Sequence, residues 1–404
     1  MKPKLRHRVL MLVENNSFPQ DIRVFAETQT LISNSYQVSV ISPAKPGQPL
    51  YEKINGIYTF RYPSLPQMNN ILNYFLEYGW SLVAMFYISL RVCIYPGFDI
   101  IHTANPPDIL VLLAFFYKLF GKRFIYDHHD LAPELFYARF EGKGNKFIYQ
   151  WLVWFERLSC RCADHIITTN ESYKALEIQR SQVKEDRITI VRNGPLERLC
   201  HIEPQPGLRQ DGEVIIAYMG VIGRQDGVDH LIKAIHYLVY NIARTDFLCL
   251  VIGDGDDLPF IKSLTSELEL TDYVLFTGWI DHSIVTRYLS VADICVAPEP
   301  SNPYNDRCTV VKLMEYMALE KPVVAFDLPE HHVTVGDGAL YARPNEDSDF
   351  AQKITLLMDD PELRMNMGRI GRDRIKNELA WSHQEKFLLK AYETLNPSLS
   401  LKRS

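Results

Sequence analysis

Short β-branched runs recur along this chain, and a helical stretch separates nearly every pair of them. In the first half the runs are Arg8–Val13, Gln37–Ile41, Ile57–Tyr62, Asp99–His102, Arg123–Asp127, His165–Thr168 and Ile188–Val191. In the second they are Val214–Met219, Phe247–Ile252, Val274–Thr277, Ile294–Ala297, Pro322–Phe326 and Ala339–Tyr341. Near-continuous apolar strands alternating with helices predict parallel sheets covered on both faces. The alternation halts between Pro195 and Gly212, a breaker-rich stretch without periodicity, and then resumes.

The fold class expected is therefore α/β, with two Rossmann-like domains facing each other across a cleft. The expected bounds are a first domain over 1–200, a linker over 201–212 and a second domain over 213–380. A helix within 381–404 is expected to return to the first domain, ending in a polar tail from Asn396. A length of 404 residues suits two to three domains at roughly 150 residues each.

Charge and composition exclude several classes. The net charge of -6 argues against nucleic acid as a partner, for which a basic domain is the footprint. The 47% hydrophobic and 23% charged residues belong to a globular chain and not to a disordered one. Cys93, Cys160, Cys162, Cys200, Cys249, Cys295 and Cys308 are odd in number and scattered, which suits reduced thiols in the cytoplasm. The apolar run Val9–Val13 is too short for a signal-peptide core and meets Glu14 at once. The longest uncharged run, Tyr78–Leu90, falls short of the roughly 20 residues of a membrane span. It reads as a buried helix or as one lying partly on a membrane surface. Phe115–Arg123 and Lys143–Arg157 mix bases with aromatics, as do helices in a lipid interface and core helices with snorkelling bases.

The densest constellation runs from Asn302 to Val324. A polar loop follows the strand Ile294–Ala297, a helix is expected to begin near Thr309 with that residue as its cap, and a new strand starts after Lys321. The helix N-terminus is an anion site in principle. Lys312 and Glu315 stand three apart on one face. They read either as a pair for diphosphate and ribose hydroxyls or as an intrahelical ion pair on a solvated face.

Lys312-Leu-Met-Glu-Tyr-Met-Ala-Leu-Glu-Lys-Pro-Val-Val324 resembles the nucleotide-sugar motif of retaining glycosyltransferases of family 4, which have the two-domain GT-B architecture. Further matches fall in the same order. Gly220 to Gly227 resembles the phosphate-side loop, Val251-Ile-Gly-Asp-Gly-Asp the loop beside the nucleotide, and Val274 to Ile280 the segment at the base. The resemblance implies donor-binding roles for Gly220, Gly223, Arg224, Gly253, Asp254, Trp279, Ile280, Asp306, Arg307, Thr309, Val310, Lys312 and Glu315. Asn305-Asp306, Thr309, Lys312 and Glu315 are similar to a bacterial subgroup with an Asn-Asp-x-x-Thr-x-x-Lys-x-x-Glu pattern. Three family positions differ: Arg307 replaces a Glu, Val221 an Arg and Asp226 a Lys. Lys312, Arg307 and Arg224 are left to balance the diphosphate, Lys312 first.

In the first half, Asp127-His128-His129-Asp130-Leu-Ala-Pro-Glu134 lies directly beyond a strand. A His there can donate to a sugar hydroxyl or to developing phosphate charge, with an Asp fixing its tautomer. The other reading makes Asp130 a helix cap and leaves His128 exposed. His129 and Asp130 match the family's His-Asp pair by the donor sugar, so with Lys312 they are the expected catalytic groups. His102, His128, Asp21 and Arg23 are acceptor-side candidates; Asp21 also suits a helix cap, and His102 a hydrogen-bonded strand end.

The resemblance implies retaining transfer from a nucleotide-sugar co-substrate, UDP-sugar favoured, to a saccharide or lipid-linked acceptor in cell-surface glycan synthesis. No metal and no other cofactor is expected. The expected location is the cytoplasm, with peripheral contact at the inner membrane face. The alternatives are a non-catalytic nucleotide-binding or scaffolding protein on a degenerate transferase fold and a nucleotide-sugar epimerase.

Overall fold

The computed structural model describes residues 7–65, 71–140, 142–195 and 213–395. The stretches 201–212 and 396–404, expected as linker and tail, lie outside the described residues. The chain divides into two compact units. One comprises Met1–Pro133, Asn145–Arg192 and Gln384–Ser404, the other Glu134–Gly144 and Asn193–His383.

The first unit is built on an eight-stranded sheet of β1 (Arg8–Leu12), β2 (Gln37–Ala44), β3 (Tyr51–Ile54), β4 (Ile57–Pro63), β5 (Ile100–Ala104), β6 (Arg123–His128), β7 (His165–Thr168) and β8 (Ile188–Ile190). Their order is β3-β4-β2-β1-β5-β6-β7-β8. All pairings are parallel except β3 with β4. That hairpin turns at Asn55-Gly56, whose φ values of 49° and 90° are those a two-residue turn of the I′ kind demands. Sequence patterning leaves β3 out. Its side chains alternate between exposed and half-buried, so no apolar run marks it.

The second unit holds β9 (Val214–Met219), β10 (Phe247–Ile252), β11 (Val274–Gly278), β12 (Ile294–Ala297), β13 (Val323–Phe326) and β14 (Ala339–Ala342). They pair in parallel in the order β11-β10-β9-β12-β13-β14. Ile216, Tyr218, Cys249 and Val251 pack on one side of this sheet, while Ile215, Ala217, Leu250 and Ile252 pack on the other. Consecutive strand residues are thus all buried, the reason these strands read as unbroken apolar runs.

Each sheet reverses its winding once, between β1 and β5 in the first unit and between β9 and β12 in the second. Ligands in such sheets bind outside the carboxyl ends of the strands at this switch point.

Two helices complete the first unit. Ile71–Ile94 is longer than the uncharged run suggested. Ser81, Met85, Ser89 and Val92 are buried on one side, but Leu76, Trp80, Val83, Tyr87, Leu90 and Ile94 form an exposed stripe at intervals of three and four. A fully buried helix is therefore ruled out. Among the described residues no helix is long and apolar enough to cross a membrane. The last helix, Trp381–Thr394, ends in the first unit. There Gln384 accepts from the Arg192 N–H at 3.1 Å, and the Tyr392 hydroxyl meets His102 Nδ1 at 2.7 Å.

Candidate functional site

In the second unit, Gly220 follows β9 and Glu299 follows β12, so both lie at the switch point. The helix Val311–Ala318 brings Lys312 to the same place. Lys312 is only 8% exposed, and its Nζ lies 2.7 Å from Glu299 Oε1. It also donates to the Tyr218 hydroxyl at 3.0 Å and stands 4.2 Å from the centre of that ring. Burial works to lower the ammonium's pKa, but the charges of Glu299 and Asp226 outweigh it and hold the group above its ordinary value.

Glycine is required here. Gly220 has φ 150°, and a Cβ on it would lie 2.9 Å from Lys312 Nζ. Gly253 has φ 142°, and a Cβ on it would run into the Gly220 carbonyl. Without side chains, the loops after β9 and β10 meet beside the ammonium, and an anion's oxygens can approach bare backbone.

The partner of Lys312 is Glu299, not Glu315, and the ammonium is buried, which overturns the solvated intrahelical pair. Burial pushes the Glu315 carboxyl up to about 7, with Lys312 opposing. Burial likewise pushes Asp226 up to about 6, Lys312 opposing and Glu299 adding. Thr309 does not cap the helix. The N-cap is Val310, and no side chain bonds the first turn from that position. The preceding loop is pinned by Asn305, whose Nδ2 donates to the carbonyls of Gln225 and Pro300, both at 2.8 Å.

The other expected cations have partners elsewhere. Arg224 pairs with Asp257 at 3.1 Å and stacks 4.5 Å from the Phe260 ring centre. Arg307 donates to the Pro303 carbonyl at 2.6 Å. Asp306 accepts from the Ser301 hydroxyl at 3.0 Å, and Asp254 from the Gly255 N–H at 2.8 Å. Gly223 donates its N–H to Asp226 at 3.1 Å. Trp279 is 72% exposed and Ile280 half-buried.

In the first unit, His129 and Asp130 follow β6. Asn105, just past β5, shapes their turn: its Oδ1 accepts from the N–H groups of His129 (2.5 Å) and Asp130 (3.1 Å). Its Nδ2 donates to the Asp130 carbonyl at 2.7 Å. His129 Nε2 lies 2.5 Å from Asp127 Oδ2 and 2.7 Å from Arg23 Nε. Arg23 bonds Asp127 Oδ1 at 2.8 Å and the Val191 carbonyl at 2.8 Å, and lies 3.2 Å from Glu27. His102 Nε2 reaches Asp127 Oδ2 at 3.2 Å.

Burial works to raise Asp127, but Arg23 and His129 beside it hold this carboxyl well below the usual range. Burial, and then the Asp127 charge, raise Glu27 well above that range against Arg23. Burial lowers His102 in spite of Asp127. Asp127 is thus the common partner of Arg23, His102 and His129.

Glu27, Asp127 and His129 place ligand atoms within 4.8 Å of one another. They do not fit a metal, because the Arg23 guanidinium already lies among them and would repel a second cation.

Several acceptor-side expectations are corrected. Asp21 is a helix N-cap, accepting from the Val24 N–H at 2.9 Å. Arg23, His102 and His128 are all buried. His128 is neither exposed nor presented to a ligand. Its Nδ1 lies 2.7 Å from Glu177, which outweighs the lowering by burial and pushes the imidazole up to about 9. Glu299 and Asn105 were not singled out. Their signal was present, since each is a polar residue placed beside prolines directly after an apolar strand, in Ala297-Pro-Glu-Pro300 and Ala104-Asn-Pro-Pro107.

Two family profiles match. The one described as Glycosyltransferase Family 4 covers residues 22–195, and the one described as Glycosyl transferases group 1 covers 202–374. A 2-deoxystreptamine glucosyltransferase of Streptomyces kanamyceticus is 27% identical over 189 residues, 46% of this chain and 47% of that protein. The chain thus spans about half the length of this curated relative. Sucrose-phosphate synthase from Thermosynechococcus elongatus has the same fold, with a TM-score of 0.80 at 20% identity over 97% of this chain and 100% of that one. HepE of Anabaena in complex with UDP-glucose gives 0.71 at 16% identity over 96% and 100%.

Proposed function

The chain belongs to the glycosyltransferases of the family-4 type, with the GT-B fold, and from that membership we propose that it moves a sugar from a nucleoside-diphosphate donor to a saccharide or lipid-linked acceptor. UDP is the favoured nucleotide and cell-surface glycan assembly the favoured setting. The observation that carries this reading is the buried Lys312 ammonium beside the bare backbone of Gly220 and Gly253.

In the proposed reaction the bond from the sugar's anomeric carbon to the diphosphate breaks. The acceptor oxygen bonds that carbon from the same face, and its proton passes to the leaving phosphate. Lys312 stabilises the charge that develops on the diphosphate, a role worth about 10²–10³ in rate for a preorganised donor of this kind. Glu315 accepts from ribose hydroxyls. His129, held by Asp127 and Asn105, donates to a hydroxyl of the transferred sugar, and Asp130 orients it.

UDP-glucose is expected to raise the melting temperature by mass action, and Lys312→Met to abolish the rise. NMR of the product's anomeric proton then reports whether configuration is retained. A second reading, nucleotide binding without transfer, draws on the Glu299–Lys312 pair and on Asp226 in place of a cation. Stabilisation by UDP-glucose without transfer, hydrolysis or epimerisation selects it, and an epimer formed without acceptor selects an epimerase. No stabilisation by UDP, GDP or ADP counts against all of these.

The exposed stripe of the helix Ile71–Ile94 supports contact with the cytoplasmic membrane face. Exposed Phe115, Trp151 and Trp154 on other helices of the unit and Leu119 just beyond one of them, with exposed Arg123, Lys146 and Arg157, suit an anionic lipid surface. Pelleting with anionic vesicles at low salt tests this, and no pelleting removes it.

A further inference from the structure

The first unit contains a polar cavity of about 230 Å³ outside the carboxyl ends of β1, β2 and β4. Glu14, Tyr62, Glu77 and Ser81 line it, with Lys45 at its edge. Glu14 is 9% exposed, and its Oε1 accepts from the Ser81 hydroxyl at 2.9 Å. The Tyr62 hydroxyl is buried and makes no hydrogen bond among the described residues. A buried polar atom without a partner costs stability, and such exceptions call for an explanation.

We propose that this cavity binds one sugar ring of the acceptor, uncharged or bearing an amine, with its hydroxyl or ammonium donating to Glu14 Oε2. The assignment of that sugar as acceptor rests on the glycosyl-transfer reading; the binding of a sugar does not. The volume lies below the roughly 300–1,000 Å³ of sites for drug-sized ligands and suits a single ring. The lining supplies the chemistry. Glu14 and Glu77 accept from hydroxyl or ammonium donors, and the Tyr62 hydroxyl reaches a ring oxygen or hydroxyl. The two carboxyls reject an anionic sugar, because like charges brought together in a partly buried site repel.

Location fits as well. The cavity lies after β1, β2 and β4, next to the switch point on the β2 side of β1, and His129 follows β6 on the same sheet. Two strand spacings separate β1 from β6, about 10 Å at the usual interstrand distance. A saccharide seated in the cavity can therefore extend along the strand ends toward His129. Burial pushes the Glu14 carboxyl up to about 7, Ser81 opposing and the Glu77 charge adding. A protonated Glu14 can donate as well as accept, so it can serve either kind of hydroxyl contact.

Saturation-transfer NMR on the full chain tests this with three probes: a methyl hexopyranoside, its 2-amino-2-deoxy analogue and a methyl hexuronide. The first two are expected to receive saturation and the hexuronide is not. Glu14→Gln keeps the shape and is expected to weaken the binding at least fivefold, and Ser81→Phe, which fills the cavity, to abolish it. In both variants the melting shift with UDP-glucose should equal that of the natural chain, since neither Glu14 nor Ser81 is among the groups proposed to hold that donor. Equal saturation of all three probes, or binding indifferent to Glu14→Gln, overturns the proposal. Sugar binding that obeys these rules in a chain that transfers from no donor retains the cavity as a sugar site and removes the acceptor assignment with the transfer reading.

Discussion

Each unit buries a cation beside the carboxyl ends of its strands, Arg23 in the first and Lys312 in the second, and treats it in an opposite way. Around Arg23 the groups close on one another. Asp127 lies against the guanidinium, His129 and His102 and is held well below the usual carboxylate range, while burial raises Glu27 and lowers His102. Around Lys312 they do not. Glu299 pairs with the ammonium while Asp226 and Glu315 stand close enough to feel its charge, and both have carboxyls pushed up by burial. A balanced cluster holds a shape, in this case that of His129. The second cluster holds more carboxyls than cations, so it favours an anion only as Asp226 and Glu315 take up protons, and it sits where the backbone is bare. The contrast separates groups that position from groups that bind.

The largest effect should come from opening the balanced cluster. Asp127→Ala leaves Arg23 buried without its carboxylate and should cost about 3–5 kcal/mol in urea unfolding. Asp226→Ala removes a carboxyl whose ionisation burial disfavours, and should cost less than about 1 kcal/mol. Equal losses would erase the contrast. Next, Lys312→Met should lower transfer by about 10²–10³ while keeping the fold once Glu299→Gln removes the stranded carboxylate. A double variant with natural transfer rates would show that Lys312 is structural.

A smaller effect is expected in the pH dependence of donor binding. Asp226 and Glu315 have pKa values raised to about 6 and about 7, so both are largely ionised at pH 8 and largely protonated at pH 5.5. The diphosphate of UDP-glucose keeps its charge throughout. Its Kd by calorimetry should therefore tighten by up to about tenfold, or about 1.4 kcal/mol, from pH 8 to pH 5.5. Asp226→Asn should remove most of the change, and a flat profile would mean that neither carboxyl meets the donor. The smallest effect belongs to Tyr392→Phe, which deletes the bond to His102 at the edge of the closed cluster and should cost about 0.5–1.5 kcal/mol. The stability curve should shift without a change in the pH profile of UDP-glucose binding.

Much of the fold was legible because strands covered on both faces are apolar at nearly every position, and Val9–Val13 or Ile215–Tyr218 shows this directly. The same property hid part of the site. Where every strand residue is buried, no alternation tells which of Asp127, His128 and His129 turns inward. The sequence allows an exposed or acceptor-side His128, whereas the fold buries it against Glu177 and leaves His129 at the strand end. Lys312 was legible because its neighbours form a local motif. Its partners Glu299 and Tyr218 come from other strand ends, and only the folded sheet brings them together. β3 was illegible for the opposite reason: an edge strand needs no apolar face.

The position of Tyr392 in the chain has a consequence for biosynthesis. The first unit needs this residue beside His102, yet about 200 residues, most of them the second unit, must be made between Arg192 and Tyr392, which at 5–20 residues per second takes about 10–40 s. The second unit gains its last strand, at Ala342, before the first sheet gains its last helix. Folding during synthesis should therefore finish in the reverse of chain order, and the nascent first unit is the part that needs protection by chaperones.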